Sequence, residues 1–302
     1  RLGRRAMPAI GDPPLPVIQE SKTAHGAPAP VAYVPAPHVP AASGGPAKLR
    51  KVAGRKAEET RPCQLRVASI PNAAGSAYVE QGRTKIIASV YGPRQVGEGL
   101  IKNATEGALL LDLQFAPFCS GTVSREENEK RAVLYTSILK RALESVVLLE
   151  RYSKTAIDVN IMVLEDDGAV LTAALAAASL SLADARIEMR DLVAGATVHL
   201  AAGEGGGTLL LDCNGEEERS MPEGSAVLHL GLCPARGALC LMHSAGPLPA
   251  GPFEQMVLIA KETAEAVGAE MRRCLERRVE RRVAKRAREE SRAEAAQSAP
   301  GA

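Results

Sequence analysis

The chain has 302 residues, 37 Lys or Arg against 35 Asp or Glu, and an aromatic content of only 3 %. That length suits one large domain or two small ones, with a core of Leu, Val, Ile and Ala. Six cysteines without a CxxC pair argue against a zinc site and a secreted disulfide scaffold, and no apolar run reaches the length of a membrane span.

Residues 1–47 hold ten prolines among many Ala and Gly. Such a segment has little to bury, so it is expected to be a disordered extension. The first residues show no apolar h-region, so no signal peptide of the secretory type is expected. Residues 48–290 are expected to form one domain, and 291–302 a disordered tail. Strands are predicted at Leu65–Ile70, Ala77–Glu80 and Thr84–Tyr91, the last stopped by Gly92-Pro93. A loop over 95–107 precedes a strand at Ala108–Phe115. Ser120-Gly121-Thr122 opens a polar connection, and Ser124 is positioned to cap a helix reaching Leu149. Val133, Ile138, Leu139, Ala142, Val146 and Leu149 are placed on its packing side.

Alternation of Ile157, Val159, Ile161 and Val163 with Asp158 and Asn160 predicts a half-buried strand. After the turn Glu165-Asp166-Asp167-Gly168, residues 169–184 are Ala and Leu on every side, the pattern of a fully buried helix. Strands follow at Val193–Leu200, Thr208–Asp212, Ala226–Gly231 and Ala238–His243. A long helix begins near Phe253, with a stripe at Val267, Met271, Leu275, Val279 and Val283, and frays past Glu289. Between Arg272 and Arg292 ten Lys or Arg stand against four Glu. That excess suits nucleic acid, an acidic protein or a solvated helix face. The element order favours a mixed α+β fold.

Five segments in order carry a family resemblance: Gly54-Arg55 with Glu58–Pro62, Ala73–Arg94 (AAGSAYVEQGRTKIIASVYGPR), Phe115–Phe118, Leu164–Ala174 and Leu211–Glu217. Together they resemble the RNase PH family, which includes polynucleotide phosphorylase cores and exosome ring subunits. The resemblance implies an RNase PH-type domain, of the kind also described as ribosomal protein S5 domain 2-like. Active members cut RNA from its 3′ end with phosphate as nucleophile. Such a site needs donors around an anion and a carboxyl group for proton transfer.

By that resemblance the phosphate cradle falls on Gly168-Ala169-Val170, where a hydroxyl and a guanidinium are missing. The acidic position of the opening signature is Ala53. Asp212 and Glu217 fall at the acidic pair, or else solvate a turn, and Phe118 replaces an RNA-contacting arginine of the bacterial enzymes. Arg94 either meets RNA or braces the next loop. Arg125, Lys130 and Arg131 lie near a polar loop whose equivalent faces the channel in related ring subunits. These losses resemble an inactive exosome ring subunit of the component-six (Mtr-type) kind. That implies no catalysis, no cofactor and no metal. The implied role is to thread RNA to a separate nuclease beside other RNase PH-like subunits and an S1/KH-type cap subunit. The implied location is nucleus, nucleolus and cytoplasm, away from membranes. Three alternatives stand: an active phosphorolytic exoribonuclease subunit whose arginines come from a neighbour, another ring subunit such as component five or the component that is normally competent, and a stand-alone RNA-binding protein using its basic C-terminal helix.

Overall fold

The computed structural model describes residues 55–95, 106–119, 123–203 and 207–298. The expected extension over 1–47, Ala53, Gly54, most of the 95–107 loop and the Ser120-Gly121-Thr122 connection lie outside them. The fold is an α+β domain with one mixed and one antiparallel sheet and helices packed between and beside them.

The first sheet has five strands: β1 (Cys63–Val67), β2 (Gly75–Gln81), β3 (Thr84–Gln95), β4 (Ala108–Phe115) and β5 (Thr155–Glu165). Their order is β1-β2-β3-β5-β4, with β4 parallel to β5 and the other pairs antiparallel. Helix α1 (Arg125–Glu144) makes the crossover that a parallel pair requires. The second sheet contains β6 (Ala194–Ala201), β7 (Thr208–Leu211), β8 (Ala226–Cys233) and β9 (Ala238–Ala245), in the order β7-β6-β8-β9.

Helix α2 (Val170–Asp184) is pressed between the two sheets, against β2, β3 and β5 on one side and β6 and β8 on the other. This explains its sequence: a helix covered on all sides favours small and apolar residues, and its one charged residue, Asp184, stands at its end. Helix α4 (Ala250–Ser298) covers β6, β8 and β1.

Several expectations are corrected. Strand β3 runs through Gly92-Pro93 instead of stopping before it. Its pairing with β2 ends at Val90, so Pro93 lies where β3 has a neighbour on one side only, and a bulge against β5 takes up the irregularity. Helix α1 ends at Glu144, and a short 3₁₀ turn occupies Leu149–Tyr152. Val133 is 73 % exposed. It sits five residues from Ile138, about 140° around the helix from the face that packs. Helix α4 continues through Ser298, where fraying and a tail over 291–302 were expected. Its last turns are rich in Ala, Glu and Arg, which are strong helix formers.

The junction of β2 with the end of α2 leaves no room for a side chain. A Cβ on Gly75 would lie 2.2 Å from the Ala185 amide nitrogen and 2.3 Å from the Ser181 carbonyl oxygen. Gly75→Ala is expected to destabilise the domain by about 3 kcal/mol, read as a lowered urea midpoint at unchanged slope.

Candidate functional site

The ends of the two sheets meet at the start of α2. Arg61, just before β1, is buried and reaches across that junction. Its Nη2 and Nε bond Asp212 Oδ1 at 2.7 and 3.1 Å, and its backbone N–H donates to Asp212 Oδ2 at 2.7 Å. The same guanidinium donates to the carbonyls of Asp167 (2.5 Å) and Gly168 (3.1 Å). The Thr84 hydroxyl donates to the Gly168 carbonyl at 2.8 Å. These bonds fix the turn that launches α2. Its cap, Ala169, has φ 53°, the left-handed region, and no side-chain oxygen to satisfy the first amides.

Burial works against a charge on Asp212, but the Arg61 guanidinium and the bonds it makes outweigh that and hold the carboxyl at about 2. Glu217 is also buried. Its Oε2 accepts from the Asn214 N–H at 2.9 Å and pairs with Arg55 at 3.2 Å, while the Asn214 side chain accepts from the Glu217 N–H at 2.7 Å. That reciprocal capping box starts helix α3 (Gly215–Arg219), where a solvated turn was the simpler expectation. Asp212 and Glu217 therefore hold structure behind the site, and neither lines its cleft.

The cleft itself, about 450 Å³, is lined by Arg131, Asp166, Ala169, His199, Glu218 and His229 among others. Sequence reasoning missed Glu218, His199 and His229. Glu218 follows Glu217 by one residue, which on a helix turns it about 100° toward the cleft. Its Oε1 accepts from the Ala169 N–H at 3.2 Å and lies 3.6 Å from His199 Nε2. A carboxylate thus sits at the positive end of α2. Burial raises the Glu218 carboxyl most, and the Asp166 charge adds to it, while the Ala169 N–H, Arg61 and Arg131 pull the other way. The result is a carboxyl pushed up to about 7. Behind His229, which lines the cleft, the Thr172, Thr197 and His229 side chains form a chain at 3.0 Å steps. Burial, with His199 and His243 nearby, lowers His229 to about 3, so the ring is neutral at ordinary pH.

Of the cations expected to meet RNA, Arg131 alone faces this cleft. It pairs with Asp166 at 2.7 Å and lies over the Phe115 and Tyr135 rings. Arg125 is exposed, bonds Glu129 at 2.9 Å and borders a separate groove beside Phe115. Lys130 is exposed on α1. Arg94 is held by Asp158 on the neighbouring strand. Ala169 and Val170 are 3 % and 2 % exposed and offer backbone only. Among the described residues no His, Cys, Asp and Glu cluster is arranged to hold a metal ion, and no helix is long and apolar enough to cross a membrane.

Residues 59–188 match the family model described as the 3′ exoribonuclease family, domain 1. The exosome complex component Rrp41 of Pyrococcus horikoshii is 37 % identical over 229 residues, which are 76 % of this chain and 89 % of the relative. The chain belongs to the RNase PH family. Other family members give the same picture. Rrp41 of Methanopyrus kandleri is 36 % identical over 74 % of this chain and 91 % of its own, and that of Nitrosopumilus maritimus 33 % over 74 % and 88 %. Rice Rrp46 shares the fold, with a TM-score of 0.61, 24 % identity, and coverage of 72 % of this chain and 97 % of its own. A chain of an archaeal exosome core does so at a TM-score of 0.58 and 19 % identity, over 72 % and 90 %.

These relatives correct the expectation of an inactive subunit of the component-six kind and, with it, of a chain without enzyme activity. That expectation weighed Ala53 together with one helix start, Ala169 and Val170. The cleft also holds the Glu218 carboxyl group from α3 and the Arg131 guanidinium from α1.

Asp212→Asn leaves the Arg61 charge buried without its partner. It is expected to cost about 3–5 kcal/mol at neutral pH in urea unfolding. The carboxyl is lowered in the folded state, so its contribution is present above the ordinary value of 3.8 and lost as pH falls through about 2. The gap between the two proteins should therefore narrow over that interval.

Proposed function

We propose that this chain is an Rrp41-type ring subunit that degrades RNA from its 3′ end with inorganic phosphate. The supporting observation is the identity of 33–37 % to relatives named as Rrp41 exosome components, across about three quarters of the chain. The cleft at the start of α2 supplies the chemistry. The first amides of α2, together with Arg131, favour an anion there. A phosphate oxygen attacks the terminal phosphodiester. The new P–O bond forms as the bond to the preceding nucleotide's 3′ oxygen breaks, releasing a nucleoside diphosphate. Glu218, protonated in part near neutrality, gives its proton to that leaving oxygen.

On this reading the chain joins other RNase PH-like subunits in an exosome ring, with RNA as substrate, an S1/KH-type cap subunit above it and a separate nuclease as a further partner. The names of the Rrp41 relatives support ring assembly.

The test is a 3′-labelled RNA incubated with the chain and its co-purified ring partners. Labelled nucleoside diphosphate should appear only with phosphate present, and digestion that ignores phosphate, or none at all, overturns the reading. Because the acid form of Glu218 acts, the rate should fall as pH rises through about 7. Glu218→Gln should lower the rate by about 10²–10⁴ and abolish that descending limb.

A further inference from the structure

Helix α4 docks through only part of its length. Met271 and Cys274 are buried against the domain, whereas Val279 and Val283, further along the helix, are 58 % and 63 % exposed. The apolar stripe read from the sequence therefore leaves the core and continues along a projecting helix. Between this stretch and the end of α2 lies a groove of about 440 Å³, with Leu275, Val279 and Val283 along it and Arg186, Arg278 and Arg282 at its sides.

Asp184, buried at the end of α2, organises the arginines. Its Oδ1 lies 3.2 Å from Arg282 Nη2 and 3.6 Å from Arg278 Nε. One carboxylate cannot use all the donors of two guanidinium groups, so the arginines are oriented while retaining donors for another acid. The groove thus combines an aliphatic strip with four-residue spacing and a basic border.

Charge selects among occupants. A second copy brings the same segment, ten Lys or Arg against four Glu between Arg272 and Arg292. Residues 1–47 bring Arg1, Arg4, Arg5 and Lys22 against Asp12 and Glu20, again net basic. Both meet like charge. Single-stranded RNA is recognised largely by stacking on aromatic rings, and the described groove residues include none. Exposed valines at helical spacing are instead what a partner helix covers, with flanking charges setting its identity. We infer that the projecting part of α4 docks an acidic amphipathic helix of a partner protein, its apolar face on Leu275, Val279 and Val283 and its carboxylates beside Arg278 and Arg282.

The test uses the full chain and three labelled probes followed by fluorescence anisotropy. One is a synthetic helical peptide of about three heptads with Leu at its core positions and Glu beside them. The second has Lys in place of each Glu, and the third is an oligouridylate. The acidic peptide should bind at least about tenfold tighter than the Lys peptide, and Val279→Ser/Val283→Ser should weaken it about tenfold. The double variant's circular dichroism and melting point should not change, because both side chains are exposed. Equal binding of the two peptides, or acidic-peptide binding indifferent to the double substitution, overturns the inference. Oligouridylate binding that the double substitution abolishes assigns the groove to RNA and overturns it as well.

Discussion

The ion pair between Arg61 and Asp212 is the contact on which the rest of the site depends. It joins the segment before the first sheet to the end of β7 in the second, and the same guanidinium holds two carbonyls of the turn that begins α2. A buried pair of this kind is costly to form and adds little net stability by itself. Its effect is geometric. With both Asp212 oxygens and both turn carbonyls occupied, the two sheets and the start of α2 have one relative arrangement. The cleft beside that arrangement inherits its shape.

Much of the fold was legible because the period of the sequence matches the burial of each element. The alternation from Ile157 to Val163 appears as β5 with those residues inside, and the uniformly apolar run after Gly168 appears as a helix covered by sheets on both sides. The site was legible only in outline. Glu216, Glu217 and Glu218 look equivalent in a row. On α3 they point outward, into the capping box and into the cleft respectively, because each helical residue rotates about 100° from the last. His199 and His229 lie in strands read for their apolar content, and a buried histidine among Val and Leu was the available signal. The loss of polar side chains at Ala169 and Val170 was visible in sequence. That a carboxyl group from another helix fills the space beside them required the fold.

Charge is distributed with the same division. Around the cleft, acids and bases are interleaved: Arg131 with Asp166, Arg61 with Asp212, Arg55 with Glu217. Along the outer half of α4, basic residues outnumber acids and Asp184 is the buried acid that gathers them. A near-zero total therefore conceals a balanced interior and a polarised appendage. The first favours a fixed geometry. The second favours encounter, since an exposed field acts beyond contact distance.

The complete enclosure of α2 has a mechanical consequence. Its side chains interlock with both sheets, and close-packed interiors deform little. The helix start is thus an anvil: a molecule arriving there cannot press it aside. Compliance belongs to the rim, where five-residue α3 and the first turn of α1 stand at the surface. Evolution could reshape what enters by altering those two pieces, while the surface against which they close keeps its position.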